Sequence, residues 1–104
     1  MKISITARHF TPSNELKKLI EDRLLKLLVF DSSISQSKVV LLKVDRAEKV
    51  ELIITSRKKQ YITKCYSSTF EKTLSMAIKN IKNQISKSDK QRLNKNLNKE
   101  IDWY

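Results

Sequence analysis

The amino-acid sequence predicts an α+β domain, a two-layer β-α-β-β-β-α arrangement in which a four-stranded, mostly antiparallel sheet carries two helices on one face. Three observations lead there. Four short segments alternate apolar and polar residues with the period of a strand, and two longer ones repeat apolar residues with the period of a helix. The chain of 104 residues, 39% hydrophobic and 32% charged, has the length and composition of a single packed core.

Residues 2–8 place Ile3, Ile5 and Ala7 on one side and Lys2, Ser4, Thr6 and Arg8 on the other, as a half-buried strand does. The run Thr11-Pro12-Ser13-Asn14-Glu15 supplies helix-start chemistry: hydroxyls that accept orphan backbone N–H groups, a proline tolerated at the boundary, and an acid suited to the positive dipole end. A helix is expected to about Leu28, with Leu16, Leu19, Ile20, Leu24, Leu27 and Leu28 on its apolar face. Residues 29–37 read as a loop punctuated by Asp31-Ser32-Ser33. A second strand follows over 38–44, a glycine-free turn at Asp45-Arg46-Ala47-Glu48, and a third strand with Leu52 and Ile54 inward. After a turn at Arg57-Lys58-Lys59-Gln60, residues 61–66 set Tyr61, Thr63 and Cys65 opposite Ile62, Lys64 and Tyr66. Ser68 and Glu71 have capping-box spacing. From there Phe70, Leu74, Ala77, Ile78, Ile81 and Ile85 form one helical stripe over about four turns, thinning beyond Ser88. The domain is expected to span 1–93, with 94–104 as a mobile tail.

Charge is distributed unevenly. Of the formal net charge of +11, residues 52–99 account for nearly all, with twelve Lys/Arg against Glu71 and Asp89. Such a concentration points to a polyanionic partner, nucleic acid foremost. At 100° per residue Lys72, Lys79, Asn83 and Lys90 fall within about 20° of one line down the second helix, flanked by Lys82 and Lys87. A merely solvated face usually mixes signs, yet no acid stands between Lys72 and Ser88, so these lysines repel one another unless an anion is bound. The first helix adds Lys17, Lys18, Arg23 and Lys26, interleaved with Glu15, Glu21 and Asp22; Arg23 sits at the edge of the apolar stripe, its stem able to lie over the core. Arg57 and Lys58 at a hairpin tip serve equally as edge gatekeepers or phosphate contacts. Seventeen lysines against five arginines suit phosphate contacts better than bidentate base reading, hence shape-directed RNA binding.

Other function classes find little support. His9 is the single histidine, beside Arg8 at a strand end, and reads as a capping or surface residue. Cys65 alternates with core positions as a small buried hydrophobe, and cannot form an internal disulfide alone. Without glycine there is no glycine-rich phosphate loop, and no zinc-ligand set appears. No enzyme activity, cofactor, metal or small-molecule substrate is expected. The start of the chain lacks the apolar stretch of a secretory signal, and no window approaches the ~20 apolar residues of a membrane span, so a cytoplasmic protein is expected. Tyr66, assigned outward, is free to stack on a base or simply to cover the sheet.

Taken in order, the opening Met-Lys-Ile-Ser-Ile-Thr-Ala-Arg-His, the helix of residues 16–27 with Lys17, Arg23 and Lys26, the Phe30-Asp31 that ends it, the run Val-Val-Leu-Leu-Lys-Val-Asp-Arg at 39–46, and the final helix with Asn83-Gln84-Ile85-Ser86-Lys87 resemble the ribosome hibernation-promoting factor/ribosome-associated inhibitor (protein Y) family. The resemblance spans residues 1–93 and implies a stress or stationary-phase factor on the small ribosomal subunit. In such factors basic helix faces meet 16S-type ribosomal RNA in the messenger and transfer RNA channel, inhibiting translation and preserving idle ribosomes. By position Lys17, Arg23, Lys26 and Lys87 match commonly basic places. Lys79 and Lys82 fall one residue before such places, which are Asn80 and Asn83 here. The family's Gly-Gly hairpin is replaced by Lys58-Lys59, and its acidic run before the last helix by Tyr66-Ser67-Ser68-Thr69. The resemblance is to the short form, without a second dimerising domain, and a monomer off the ribosome is expected. The layout also resembles a double-stranded-RNA-binding domain, although Phe70-Glu71-Lys72-Thr73 stands where such domains carry a lysine cluster.

Overall fold

The computed structural model describes the backbone of residues 1–57 and 59–101 and the side chains of residues 1–57 and 59–87. Strand β1 (Lys2–Arg8) leads into helix α1 (Asn14–Leu25) and a 3-10 turn (Lys26–Val29), followed by β2 (Ile34–Val44), β3 (Ala47–Ser56), β4 (Gln60–Ser67) and helix α2 (Phe70–Ile101). The sheet order is β1-β2-β3-β4, with β1 parallel to β2 and the other pairs antiparallel. The parallel pair needs a crossover, which α1 and the 3-10 turn supply. The expected α+β arrangement is therefore present, with both helices packed on the inner sheet face in one core.

Local chemistry accounts for most element boundaries. Ser13 caps α1, its Oγ accepting from Leu16 N at 3.1 Å. The predicted helix to Leu28 ends its α-helical part at Leu25 and tightens into the 3-10 turn, which still buries Leu27 completely. His9 at φ 70° and Asp45 at φ 49° occupy the left-handed region where the chain reverses, a conformation His and Asp tolerate better than most residues in a sequence without glycine. Asp45 thereby closes the two-residue link between Val44 and Ala47.

Two boundaries correct the sequence reading. The expected loop of 29–37 is shorter, because β2 already begins at Ile34; a register shift between Ile34 and Gln36 turns both Ile34 and Ser37 inward, three residues apart, and so hides the strand period. The expected Ser68–Glu71 capping box is not what holds α2. Thr69 Oγ1 accepts from Lys72 N at 3.2 Å, and the Phe70 N–H donates instead to the Glu48 carboxylate on β3 at 2.7 Å. A carboxylate from a neighbouring strand does there what the local glutamate was expected to do.

The core sets Val39, Leu41, Val50, Leu52, Ile54, Tyr61 and Cys65 of the sheet against Ile20 and Leu24 of α1 and Phe70, Leu74, Ala77, Ile78, Ile81 and Ile85 of α2. Each large aliphatic side chain buried this way contributes about 1.5–3 kcal/mol relative to exposure. Thr73 is fully buried too, its hydroxyl 2.8 Å from the Glu48 carbonyl and 2.7 Å from that of Thr69. Asp31 is buried where loop punctuation was expected: one carboxylate oxygen accepts from Ser33 N and Oγ at 3.0 and 2.6 Å, the other from the Tyr61 hydroxyl at 3.3 Å. The α2 backbone continues to Ile101, past the thinning of apolar residues, with no proline or glycine to interrupt it. The side chain of Lys90 and residues 102–104 of the expected tail lie outside the described residues, as does Lys58.

Replacing Ile81 with Ala is expected to cost about 2–5 kcal/mol. Thr73→Val, which keeps volume and removes the hydroxyl, should cost roughly 1–2 kcal/mol. Thermal denaturation followed by circular dichroism measures both, at roughly 4–8 °C per kcal/mol for a domain of this size.

Candidate nucleic-acid interface

Helices α1 and α2 lie side by side, and the groove between them, of about 460 Å³, is lined by Arg23, Lys26, Ser75, Ile78, Lys79 and Lys82. Arg23 leaves the apolar stripe of α1 at its edge and reaches α2, where its Nη1 donates to Ser75 Oγ at 3.0 Å. Ser75 Oγ donates in turn to the Glu71 carbonyl at 3.1 Å. The guanidinium is thus held by one bond, which leaves most of its five N–H donors available. Lys79 is exposed, and Lys82 sets its ammonium 5.0 Å from the centroid of the Phe30 ring. Among the described residues the ion pairs are Lys43–Glu48, between β2 and β3, and Lys49–Glu51, within β3. Among the described residues no ion pair joins a carboxylate to any of the four groove cations.

Four of the predicted site residues are therefore brought together: Arg23, Lys26, Lys79 and Lys82. Lys17 and Lys18 are exposed on α1, and Lys87 on α2, outside the groove lining. Lys72 borders a separate depression with Ser67, Thr69, Glu71 and Met76. Arg57 is exposed on the β3–β4 hairpin, where its N–H donates to the Ser33 carbonyl at 3.3 Å; Lys58 and the Lys90 side chain lie outside the described residues. Asn80 does not open onto the groove lining. Its amide donates to Thr63 Oγ1 and Cys65 Sγ, both at 3.2 Å, and Gln84 Nε2 donates to the Ile62 carbonyl at 2.9 Å. These amides tie α2 to β4, so α2 presents its charge through Lys79 and Lys82 instead.

The sequence reading missed Ser75, the partner of Arg23, and Phe30, seen only as the end of a helix. Neither residue type signals a site by spacing; each gains its place from a chain segment distant in sequence. Tyr66, 71% exposed, lines a depression with Val44, Asp45, Arg46 and Lys49 at the β2–β3 turn. Cys65 is buried, His9 is exposed, and no group of three His, Cys, Asp or Glu that could hold a metal occurs among the described residues. Among those residues no helix is long and apolar enough to cross a membrane.

A mixed sheet under two helices, with four cations along the groove between them, defines a small basic α+β domain. Residues 3–93 match the family described as Sigma 54 modulation protein / S30EA ribosomal protein, and the chain belongs to that family of ribosome-associated hibernation factors. Among solved structures, a ribosomal subunit interface protein from Coxiella burnetii superposes with a TM-score of 0.80 at 19% identity, covering 86% of this chain and 98% of its own. The Thermus thermophilus Protein Y N-terminal domain superposes with a TM-score of 0.78 at 15% identity, covering 84% and 98% respectively. At such identities the likeness is one of fold. No curated protein sequence matches the chain.

Crowding of like charges around the groove should cost stability. Lys26→Gln together with Lys79→Gln is expected to raise stability by about 0.2–0.5 kcal/mol. The melting temperature of the unaltered chain should rise with added salt, and by less in the double variant, as differential scanning calorimetry would show.

Proposed function

We propose that this protein is a ribosome hibernation factor that binds the small ribosomal subunit in the messenger and transfer RNA channel. Bound there it inhibits translation and preserves idle ribosomes under stress or in stationary phase. The observation that carries the reading is the convergence of Arg23, Lys26, Lys79 and Lys82 on one groove in a chain of this family. Two helices bearing phosphate-directed cations on a rigid sheet offer a preorganised surface to folded ribosomal RNA, with little side-chain ordering left to occur on binding. Both structural relatives are a subunit interface protein and a Protein Y domain, in keeping with this site of action. Lys17, Lys18, Arg57, Lys58, Lys72, Lys87 and Lys90 extend the contact beyond the groove. The protein acts without catalysis, in the cytoplasm, and is a monomer off the ribosome.

The protein is expected to co-sediment with purified small subunits at near-stoichiometric occupancy in physiological salt. Lys79→Glu, Lys82→Glu and Lys87→Glu combined should abolish this without unfolding the domain, since none of the three is a buried core residue. About six neutralised phosphates would give a log–log salt slope of roughly −4 to −5. Ready displacement from the subunit by bulk duplex RNA would instead favour a general double-stranded RNA-binding module, and binding insensitive to salt would contradict both.

A further inference from the structure

Phe30 stands where the groove meets the 3-10 turn, and 48% of its surface is exposed. The backbone that carries the ring is held firmly. Its own N–H donates to the Leu27 carbonyl at 2.9 Å, and the next residue is the buried Asp31, bonded to Ser33 and to Tyr61 of β4. A half-exposed aromatic on so well anchored a backbone is preorganised, so a flat ligand meeting it loses little freedom. The Lys82 ammonium lies 5.0 Å from the ring centroid while also lining the groove with Arg23, Lys26 and Lys79. Arg57, bonded through its N–H to the Ser33 carbonyl, brings the basic hairpin to the same end of the molecule.

From this juxtaposition we propose that Phe30 is a stacking platform for one unpaired nucleobase, whose flanking phosphates are held by Lys82 and the groove cations. The inference rests on the RNA-binding reading above and deepens it: the site takes a splayed-out, single-stranded nucleotide and not duplex backbone alone. A nucleotide supplies both features the place asks for, a π-face for the side of the ring away from Lys82 and a negative charge for the ammonium that lies over the ring. An apolar protein surface seated on Phe30 would instead have to strip water from Lys82 without pairing it, which is costly. The neighbouring exposed Leu25 and Val29 offer apolar area for the edge of the base or its ribose.

The test compares equilibrium binding to purified small ribosomal subunits of the unaltered protein, Phe30→Ala, Phe30→Leu, Phe30→Trp, and Lys79→Glu with Lys82→Glu. Phe30→Ala and Phe30→Leu should each weaken binding roughly tenfold with the salt slope unchanged, whereas Phe30→Trp should bind at least as tightly. Combined with Trp103→Phe, the Phe30→Trp protein should show tryptophan quenching on addition of subunits. Phe30→Leu binding like the unaltered protein would mean an apolar contact with a ribosomal protein and would overturn the proposal. Full affinity in Phe30→Ala, with loss in the lysine double variant, would overturn stacking while leaving the groove reading intact. Full affinity in every variant would overturn both.

Discussion

Glu48 grips the start of α2 at two points. Its carboxylate accepts from Phe70 N at 2.7 Å, and its carbonyl lies 2.8 Å from the Thr73 hydroxyl. A helix laid on a sheet can roll about its own axis until something specific stops it, and a roll of some tens of degrees, well under the ~100° between successive residues, would carry a charged residue from rim toward core. With both contacts in the first turn, and the Asn80 and Gln84 amides bonded to β4 further along, the roll of α2 is set over its packed length. The apolar stripe then faces the sheet. Lys79 and Lys82 are left at the border with α1, where Arg23 and Lys26 arrive from the other side.

Packing and electrostatics pull against each other in this groove. Burial of Ile78 and Ile81 against the core draws the helices together, and that closeness crowds four cations. The hydrophobic gain, on the order of kilocalories per side chain, exceeds the repulsion between solvated charges, on the order of tenths. The fold therefore tolerates four cations along one groove. Arg23 is half-buried at this border, and a single bond to Ser75 orients its head.

Two polar residues outside the groove have structural partners of their own. The Asn80 amide bonds to Thr63 and Cys65, which makes it part of the helix–sheet junction. Lys59, in the β3–β4 hairpin, sets its ammonium 5.3 Å from the centroid of the Tyr61 ring, and Ser56 Oγ and N donate to the Lys59 carbonyl at 3.0 and 2.9 Å. Hydroxyl and backbone bonds thus close a turn that has no glycine to ease it.

Much of this was legible in one dimension. Strand and helix periods disclosed β1, β3, β4, the body of α1 and the buried stripe of α2, because alternation and helical repeat are direct images of a one-sided environment. The start of β2 was not legible, since the register shift at Ile34 and Gln36 breaks that alternation. Nor was the acceptor of the Phe70 N–H at the start of α2, which comes from a strand 22 residues earlier. The site divides the same way. Sequence alone determined the sign of the charge, its concentration in the second half and the lysines of α2 as its bearers, since composition and helical angle need no tertiary knowledge. Tertiary structure decided which cations meet, that Arg23 joins Lys79 and Lys82 while Lys17 and Lys72 stand apart, and that Phe30 borders the groove. Those are relations between segments far apart in the chain, and only the packing of one layer on the other sets the distance between them.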